Sequence, residues 1–330
     1  MMDDINKLNL PVGVKEKVDE VLAEIELNPS SKPQNTRYLN WLTSLPWTTS
    51  SKDILDLNYA KEKLNEFHYG LDSIKERILE YISIIALLKD RNLGNISRAP
   101  IFLFYGLAGT GKTTMAESIA ATLNREYVRI PLGGLGDPFY LRGRSRLNPD
   151  SEPGAIVKAL SMCKTNNPVI LLDEIDRIAE EANNTVMGVL LELLDPEQNQ
   201  HFLDHYLDYP VDLSQVIFCA TCNNTNRIAT AVLDRLDPIQ MPSYTDEEKT
   251  VIGRDYIFPK AIKFAGLTDK EIKISDSVWP LIIRPLGFDA GVRTLKRNIE
   301  TICRKVALII FSRKASSVSI DENNFKQFIS

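Results

Sequence analysis

The stretch that decides the fold is IFLFYGLAGTGKTT, residues 101–114. Five apolar residues typical of a β-strand run into a loop with the spacing G-x-x-x-x-G-K-T, the pattern of a phosphate-binding loop. Apolar residues resume at helical spacing after it, at Met115, Ile119, Ala120 and Leu123. A plain glycine turn is the alternative interpretation. The strand before the loop and the helix after it favour the phosphate-binding loop.

The residue types in this loop suit a polyphosphate. Gly106, Gly109 and Gly111 can adopt positive φ, so that backbone N–H groups approach the phosphates at the start of the next helix. Lys112 is expected to reach the β- and γ-phosphates, and the Thr113 hydroxyl to join the Mg²⁺ shell. The predicted nucleotide-binding residues are Gly106, Leu107, Ala108, Gly109, Thr110, Gly111, Lys112, Thr113 and Thr114.

Two acids follow a second apolar run. Residues 169–172 read Val-Ile-Leu-Leu, and Asp173 and Glu174 come directly after them. In a phosphate-loop NTPase such a pair completes the site: Asp173 would hold Mg²⁺, and Glu174 would orient or deprotonate the attacking water. The alternative is that the acids cap the next helix. Their position after a phosphate-binding loop favours the catalytic role.

Composition limits the class of protein. The chain has 330 residues, 44% of them hydrophobic, which is enough for two or three domains. The net charge of −5 argues against broad nucleic-acid binding. Neither a run of ~20 apolar residues nor a signal-peptide pattern is present, so no membrane partner is expected. Four scattered cysteines indicate a reducing compartment, the cytoplasm or alternatively the mitochondrial matrix.

Hydrophobic periodicity predicts the order of elements. An amphipathic helix covers residues 10–25, and strands are predicted at residues 127–130, 169–172, 216–220 and 239–241. Residues 133–154 form a long polar loop without a regular period, which is usually functional. From Asp246 the pattern is helical, with a long helix at residues 291–310. This order predicts an α/β fold with a mainly parallel, doubly wound sheet, preceded by a helical segment and followed by a helical lid.

Several longer motifs resemble the AAA+ module of Lon proteases. They lie at residues 38–42 and 45–47, 68–71 and 75–81, 194–199, 204–206 and 290–293. The resemblance covers nearly the whole chain. It implies an amino-terminal helical segment at residues 1–67, a large AAA+ α/β domain of the P-loop NTPase type at residues 68–243, and a small helical lid domain at residues 244–330.

The resemblance also implies roles for four further residues. Tyr69 is similar to the adenine-pocket residue, and Asn223 to the sensor that positions the attacking water. Arg293 is similar to the lid sensor that reads the γ-phosphate. Arg235 resembles the arginine finger that acts on the neighbouring subunit, which implies a ring. For Arg235 alone, a surface salt bridge is the alternative.

The sequence departs from this family in three ways. It ends near Phe328, about where the Ser–Lys protease domain should begin, and most of the amino-terminal substrate-recognition domain is absent. Peptidase activity is therefore not expected from this chain. In the loop aligned with the family's substrate-gripping pore loop, Asn148 replaces the aromatic residue, and Asp150 and Glu152 add negative charge. Phe139 and Tyr140 lie upstream and are expected to pack in the core rather than to grip substrate.

The leading functional hypothesis is a Mg²⁺-dependent ATPase motor that forms a homo-hexameric ring and remodels or unfolds protein substrates for proteolysis. Its cofactors would be ATP and Mg²⁺. The rival hypothesis is an ATP-binding regulatory subunit or inhibitor that co-assembles with full-length Lon-like subunits. A third, a nucleic-acid-loading ATPase, is disfavoured by the acidic net charge.

Overall fold

The computed structural model describes residues 10–91, 101–148, 150–283 and 289–329. The strands are β1 (Ile101–Tyr105), β2 (Tyr127–Pro131), β3 (Val169–Asp173), β4 (Phe202–Asp204), β5 (Tyr209–Val211), β6 (Ile217–Cys222), β7 (Leu236–Gln240), β8 (Ile272–Ile274) and β9 (Val318–Ile320). The helices up to β6 are α1 (Val12–Leu27), α2 (Lys32–Ser44), α3 (Leu57–Phe67), α4 (Asp72–Asp90), α5 (Lys112–Leu123), α6 (Ala155–Cys163) and α7 (Glu180–Leu193). The later helices are α8 (Thr230–Leu233), α9 (Asp246–Val251), α10 (Phe258–Phe264), α11 (Trp279–Ile283) and α12 (Arg293–Phe311), with a π-helix at Ile252–Ile257 between α9 and α10.

The central sheet has the strand order β2-β3-β6-β1-β7. β2 pairs with β3, β3 with β6, and β6 with β1, all in parallel. Every residue of β3 and β6 is buried, which shows that both faces of the sheet are covered. The predicted parallel α/β fold is confirmed. Because the strands are parallel, the carboxyl ends of β3 and β6 lie at the same edge.

One strand begins earlier than its apolar pattern indicates. The apolar pattern predicts a strand only from residue 239, because Asp237 and Pro238 interrupt the apolar run. In the structure β7 starts at Leu236. The Asp237 carboxylate pairs with Arg77 of α4, which lets a charged residue lie within the strand. The predicted long polar loop is confirmed: residues 132–148 and 150–154, as far as the structure describes this region, contain no helix or strand.

The chain divides into two compact units by its internal contacts. The first contains the described residues up to Lys63, then Ile74–Tyr105 and Ala116–Ile239. The second contains Leu64–Ser73, Gly106–Met115 and the described residues from Gln240 onward. The domain boundaries 1–67, 68–243 and 244–330 stay a prediction.

In the first unit the amino-terminal helices share the core of the sheet. Val14 and Val18 of α1 and Leu39 of α2 are buried in the same apolar cluster as Leu172 of β3. Within it the Tyr38 hydroxyl donates a hydrogen bond to the Leu207 carbonyl at 2.8 Å. α1 and α2 are therefore integral to this unit.

The second unit has its own core around Trp279, packed with Leu295, Ile299 and Ile302 of α12. It is mainly helical, as the sequence predicts, but it also contains a short parallel pair. Ile272 of β8 pairs with Val318 of β9, which the sequence analysis missed because each strand has only three residues. Among the described helices of the chain, none combines the length and apolar character needed to cross a bilayer.

A buried ion pair in the first unit links the segment before α3 to the segment after α5. Arg125 Nε and Nη2 donate to the two carboxylate oxygens of Asp53 at 2.7 and 2.8 Å, and the side chains are 0% and 1% exposed. Arg125 Nη1 also donates to the Gln215 carbonyl. Burial acts to raise the pKa of Asp53, but hydrogen bonds from Arg125 and Lys89 outweigh it and hold the pKa below its usual value.

Removing Arg125 should destabilise the protein strongly. Arg125→Ala leaves the Asp53 carboxylate buried without its main partner, so we expect a loss of about 3–5 kcal/mol in the free energy of unfolding. Lys89→Ala, which removes the exposed partner of the same carboxylate, is the matched control and should cost less than about 1 kcal/mol. Urea unfolding monitored by circular dichroism measures both.

The same pair predicts a pH dependence. Because the pKa of Asp53 is lowered in the folded state, its contribution is complete above its usual pKa and is lost as the pH falls through the folded value. The difference in stability between the unmodified protein and Arg125→Ala should therefore be constant at neutral pH and shrink only in the acid range. A difference that does not change in acid would contradict this account.

Candidate functional site

The predicted site residues fall into two groups, one in each unit. The phosphate-binding loop, Tyr69 and Arg293 belong to the second unit, whereas Asp173, Glu174, Asn223 and Arg235 belong to the first. In the chain, β1 runs directly into the loop.

The loop adopts the backbone conformation that its glycines allow. Gly106, Gly109 and Gly111 have φ values of 146°, 82° and 95°, which disfavour any residue with a side chain. The Lys112 ammonium folds back and donates to the carbonyls of Gly106 and Leu107 at 2.7 and 2.9 Å. The loop is therefore held in shape by its own polar groups.

The start of α12 lies against this loop. Val292 N donates to the Gly109 carbonyl at 3.0 Å. A Cβ built on Gly291 would lie 2.4 Å from Gly109 C and 2.6 Å from the Ala108 carbonyl oxygen, so only glycine permits this approach. Arg293, the predicted lid sensor, is the first residue of α12 and is exposed.

A buried tyrosine supports the other side of the loop. The Tyr244 hydroxyl donates to the Thr110 carbonyl at 3.1 Å, and burial raises the pKa of Tyr244 to about 12. The hydroxyl therefore stays protonated and able to donate at any physiological pH. The sequence analysis missed Tyr244, which lies 134 residues from its partner.

Tyr69 lines a cavity of about 410 Å³ in the second unit. Its ring meets that of Tyr256 edge to face, with centroids 6.4 Å apart. Gly111 and Thr114 of the phosphate-binding loop also line the cavity, so it opens beside the loop. An apolar, aromatic cavity of this volume is suited to an organic ring such as a nucleobase.

The acid pair of the first unit is held by the hydroxyl of Thr221 on β6. Thr221 Oγ1 donates to Asp173 Oδ1 and accepts the Glu174 backbone N–H at 2.9 Å. Asp173 Oδ2 accepts from Arg129 of β2 at 2.6 Å. Three adjacent strands therefore fix the carboxylate of Asp173.

Glu174 has an unusual backbone. Its φ of 59° and ψ of 47° lie in the left-handed region, which costs a residue with a side chain of order 1 kcal/mol. Its side chain is 38% exposed and pairs with Arg177 at 3.2 Å. A Cβ on Gly133 would lie 2.5 Å from Glu174 Oε2, so this glycine leaves room for the carboxylate.

Asn223 follows the end of β6, where Asp176 fixes the backbone. Asp176 Oδ2 accepts the N–H groups of Asn223 and Asn224 at 3.0 and 3.1 Å. Arg235, the predicted arginine finger, pairs with Asp195 at 2.8 Å and is 45% exposed. The sequence analysis missed Arg129, Thr221 and Asp176. Thr221 and Asp176 lie close to the ends of predicted strands, and this position is the signal that could have marked them as site residues. The sequence contains no comparable signal for Arg129.

Hydrogen bonds fix the loop at residues 133–154 at its carboxyl-terminal end, around Gly154, which we call its base. The carboxylate of Asp204 is buried and accepts the Gly154 N–H at 2.7 Å, and Ala155 N donates to the Tyr140 carbonyl. Phe139 and Tyr140 are 43% and 37% exposed, so the expectation that they pack in the core is wrong. Asn148 is exposed, and Pro149 lies outside the described residues.

The residues present fit the expected ligands chemically. Positive-φ glycines, a lysine and a helix start are suited to phosphates. The carboxylate of Asp173 and the hydroxyl of Thr113 are hard oxygen donors of the kind that Mg²⁺ prefers. Asp173 retains lone pairs beyond the two that Arg129 and Thr221 use.

Comparison with known families matches two models. Residues 102–244 match the ATPase family associated with various cellular activities (AAA). Residues 263–318 match the Lon protease AAA+ ATPase lid domain. The two matches follow each other in the order that the sequence predicts.

Known relatives extend the match to nearly the whole chain. A Lon protease of Lawsonia intracellularis is 42% identical over 98% of this chain and 39% of its own length. The mitochondrial Lon protease homolog of Homo sapiens is 41% identical over 98% of this chain and 34% of its own length. The chain thus spans well under half the length of these relatives.

A solved structure shares the fold at low sequence identity. It is the closed state of Hsp104 with ATPγS and FITC casein, with a TM-score of 0.64 and 19% identity over 80% of this chain and 50% of that one. This likeness supports the α/β architecture independently of the sequence motifs.

The close approach of Gly291 to the loop gives a testable prediction. Gly291→Ala should displace the phosphate-binding loop and weaken the binding of a fluorescent ATP analogue by about tenfold or more, since backbone rather than a flexible side chain meets the new Cβ. Gly188→Ala in α7 is the matched control: its Cβ meets nothing within 4 Å, and it should stabilise the helix by about 0.5–1 kcal/mol. Unchanged affinity in a folded Gly291→Ala protein would show that the contact is dispensable.

Proposed function

Because the chain belongs to the Lon-type AAA+ ATPases, we propose that it is a Mg²⁺-dependent ATPase motor module that works in a homo-hexameric ring. The observation that carries the proposal is the loop at residues 106–114, with its positive-φ glycines and the aromatic cavity beside it. The ring would couple ATP hydrolysis to the remodelling or unfolding of a protein substrate. The relatives are full-length proteases, of which this chain covers 39% and 34%. We do not assign peptide cleavage to any residue of this chain.

Binding of ATP is assigned to the second unit. The N–H groups of the loop and Lys112 would bind the phosphates, and the cavity lined by Tyr69 and Tyr256 would hold the adenine. Lys112 would exchange its two carbonyl acceptors for phosphate oxygens. Arg293, exposed at the start of α12, would read the γ-phosphate.

Hydrolysis is assigned to the acids of the first unit. Mg²⁺ would neutralise developing charge on the phosphates, with Asp173 and Thr113 as its protein ligands. Glu174 would orient the attacking water and accept its proton, and its partly exposed carboxylate is accessible to water. Asn223 would hold the same water. Arg129 and Thr221 would keep the Asp173 carboxylate in one orientation.

The ring is proposed from Arg235. Its guanidinium is nearly half exposed and pairs with Asp195, a contact that a phosphate of the neighbouring subunit could replace. The proposed compartment is the cytoplasm or the mitochondrial matrix, since all four cysteines are free and buried.

Lys112 and Glu174 should fail in different ways. Lys112→Ala removes the phosphate counter-charge and should weaken ATP binding by about 100-fold or more. Glu174→Gln keeps the shape and loses only the base, so it should bind ATP normally and lower kcat by about 10²–10⁴-fold. Equilibrium binding and phosphate release measure the two effects. An equal loss of affinity in both variants would refute the assignment.

Arg235 should act across a subunit boundary. Arg235→Ala should bind ATP normally and hydrolyse it about 10³-fold more slowly, as for other arginine fingers. Mixing it with Glu174→Gln subunits should restore part of the activity, because some interfaces then combine an intact arginine with an intact base. Absence of rescue in rings shown by native mass spectrometry to be mixed would count against a shared site.

A further inference from the structure

A second pocket lies in the first unit, away from the acid pair. It has a volume of about 200 Å³ and is formed by the start of α2 and the tip of the loop at residues 133–154. Its polar lining residues are Gln34, Arg37, Arg146, Asn148, Ser151 and Tyr206. Two arginines, two amides and two hydroxyls therefore line one small space.

Arg146 is fixed in this pocket. Its guanidinium lies 4.6 Å from the ring centroid of Tyr38, and its backbone carbonyl accepts a hydrogen bond from Gln34 Nε2. Stacking on a buried tyrosine restricts the side chain, so less freedom would be lost when it binds a ligand. The guanidinium is thus presented in a defined position.

Two donors in the pocket lack partners. Ser151 is 5% exposed, and neither its Oγ nor Arg146 Nη1, both buried, finds a hydrogen-bond partner within the described residues. Buried polar atoms nearly always have one. Both atoms belong to residues that line the same pocket and both are covered by protein. A bound acceptor that reaches them through a small shift of the loop tip would satisfy both donors.

The charges also favour an anion. Burial raises the pKa of Tyr206, the negative charges of Glu152 and Asp204 add to this rise, and the positive charges of Arg37 and Arg146 act against it. Both arginines therefore lie close enough to influence its hydroxyl. The neighbouring acid, Glu152, is paired with Lys158 at 2.6 Å. We propose that this pocket binds an oxyanion, a carboxylate or a phosphate, through Arg37, Arg146 and the Ser151 hydroxyl.

The oxyanion could come from an acidic side chain of a bound polypeptide or from free phosphate. Asn148, which lines the pocket, is exposed, so the pocket is accessible from solvent to a side chain of a polypeptide. The inference does not depend on the proposed ATPase, because binding here is measured without nucleotide and needs neither Lys112 nor Glu174.

The test uses the full chain without nucleotide. One arm measures fluorescence anisotropy of a labelled oligoglutamate peptide, with the matched oligoglutamine peptide as its control. The other arm titrates inorganic phosphate calorimetrically in the Lys112→Ala background, so that the phosphate-binding loop does not contribute. Saturable binding of either oxyanion supports the proposal and identifies its source. Binding of neither up to about 10 mM overturns it.

Three variants place the binding in this pocket. Arg146→Gln should weaken it by about tenfold or more, and Ser151→Ala by several-fold, because each loses a hydrogen bond to a charged group. Ser151→Ala should also keep its Tm, since no internal bond is lost, and it tests the site if Arg146→Gln does not fold. Arg144→Gln is the control: Arg144 lies on the same loop but pairs with Asp137 outside the pocket. Equal weakening by Arg144→Gln would show general charge attraction and overturn the proposal.

Discussion

The parallel pairing of β3 with β6 is the constraint on which the acid pair depends. Leu172 pairs with Ala220, so the residues that follow, Asp173 and Thr221, come together at one edge of the sheet. The Thr221 hydroxyl then serves both acids, as donor to Asp173 and as acceptor for the Glu174 N–H. A shift of one residue in this register would direct Thr221 to the other face and leave the buried Asp173 carboxylate without it.

How much could be predicted from the sequence follows from how local each feature is. The phosphate-binding loop and the acid pair depend on residues within a few positions of each other. The glycines of the loop also indicate where the backbone adopts positive φ. Other site contacts join residues far apart in the chain: the partners of Tyr244, Arg129 and Thr221 are 134, 44 and 48 positions away. Hydrophobic periodicity does not predict such contacts. Short elements were missed for a different reason: three residues are too few to show a period, as in β8 and β9.

The loop at residues 133–154 shows the limits of judging exposure from residue type. Phe139 and Tyr140 are aromatic and were expected inside, but the base of the loop is fixed by backbone contacts to Asp204 and at Gly154, not by these rings. Arg144 lies over the Phe139 ring at 5.3 Å instead. A loop fixed in this way can keep its base rigid while its tip, including the proposed oxyanion pocket, changes in composition.

The π-helix at Ile252–Ile257 forms part of the wall of the aromatic cavity. Ile252, Tyr256 and Ile257 of this helix line the cavity. Gly253 packs closely against Trp279, since a Cβ added to Gly253 would lie 3.1 Å from the Trp279 ring. A π-turn contains one residue more than an α-turn, and each residue rotates a helix by roughly 100°. Deleting one residue here would restore α-geometry and turn Tyr256 away from Tyr69. The shape of this cavity could therefore change through the deletion of a single codon, with no substitution in the loop at residues 106–114.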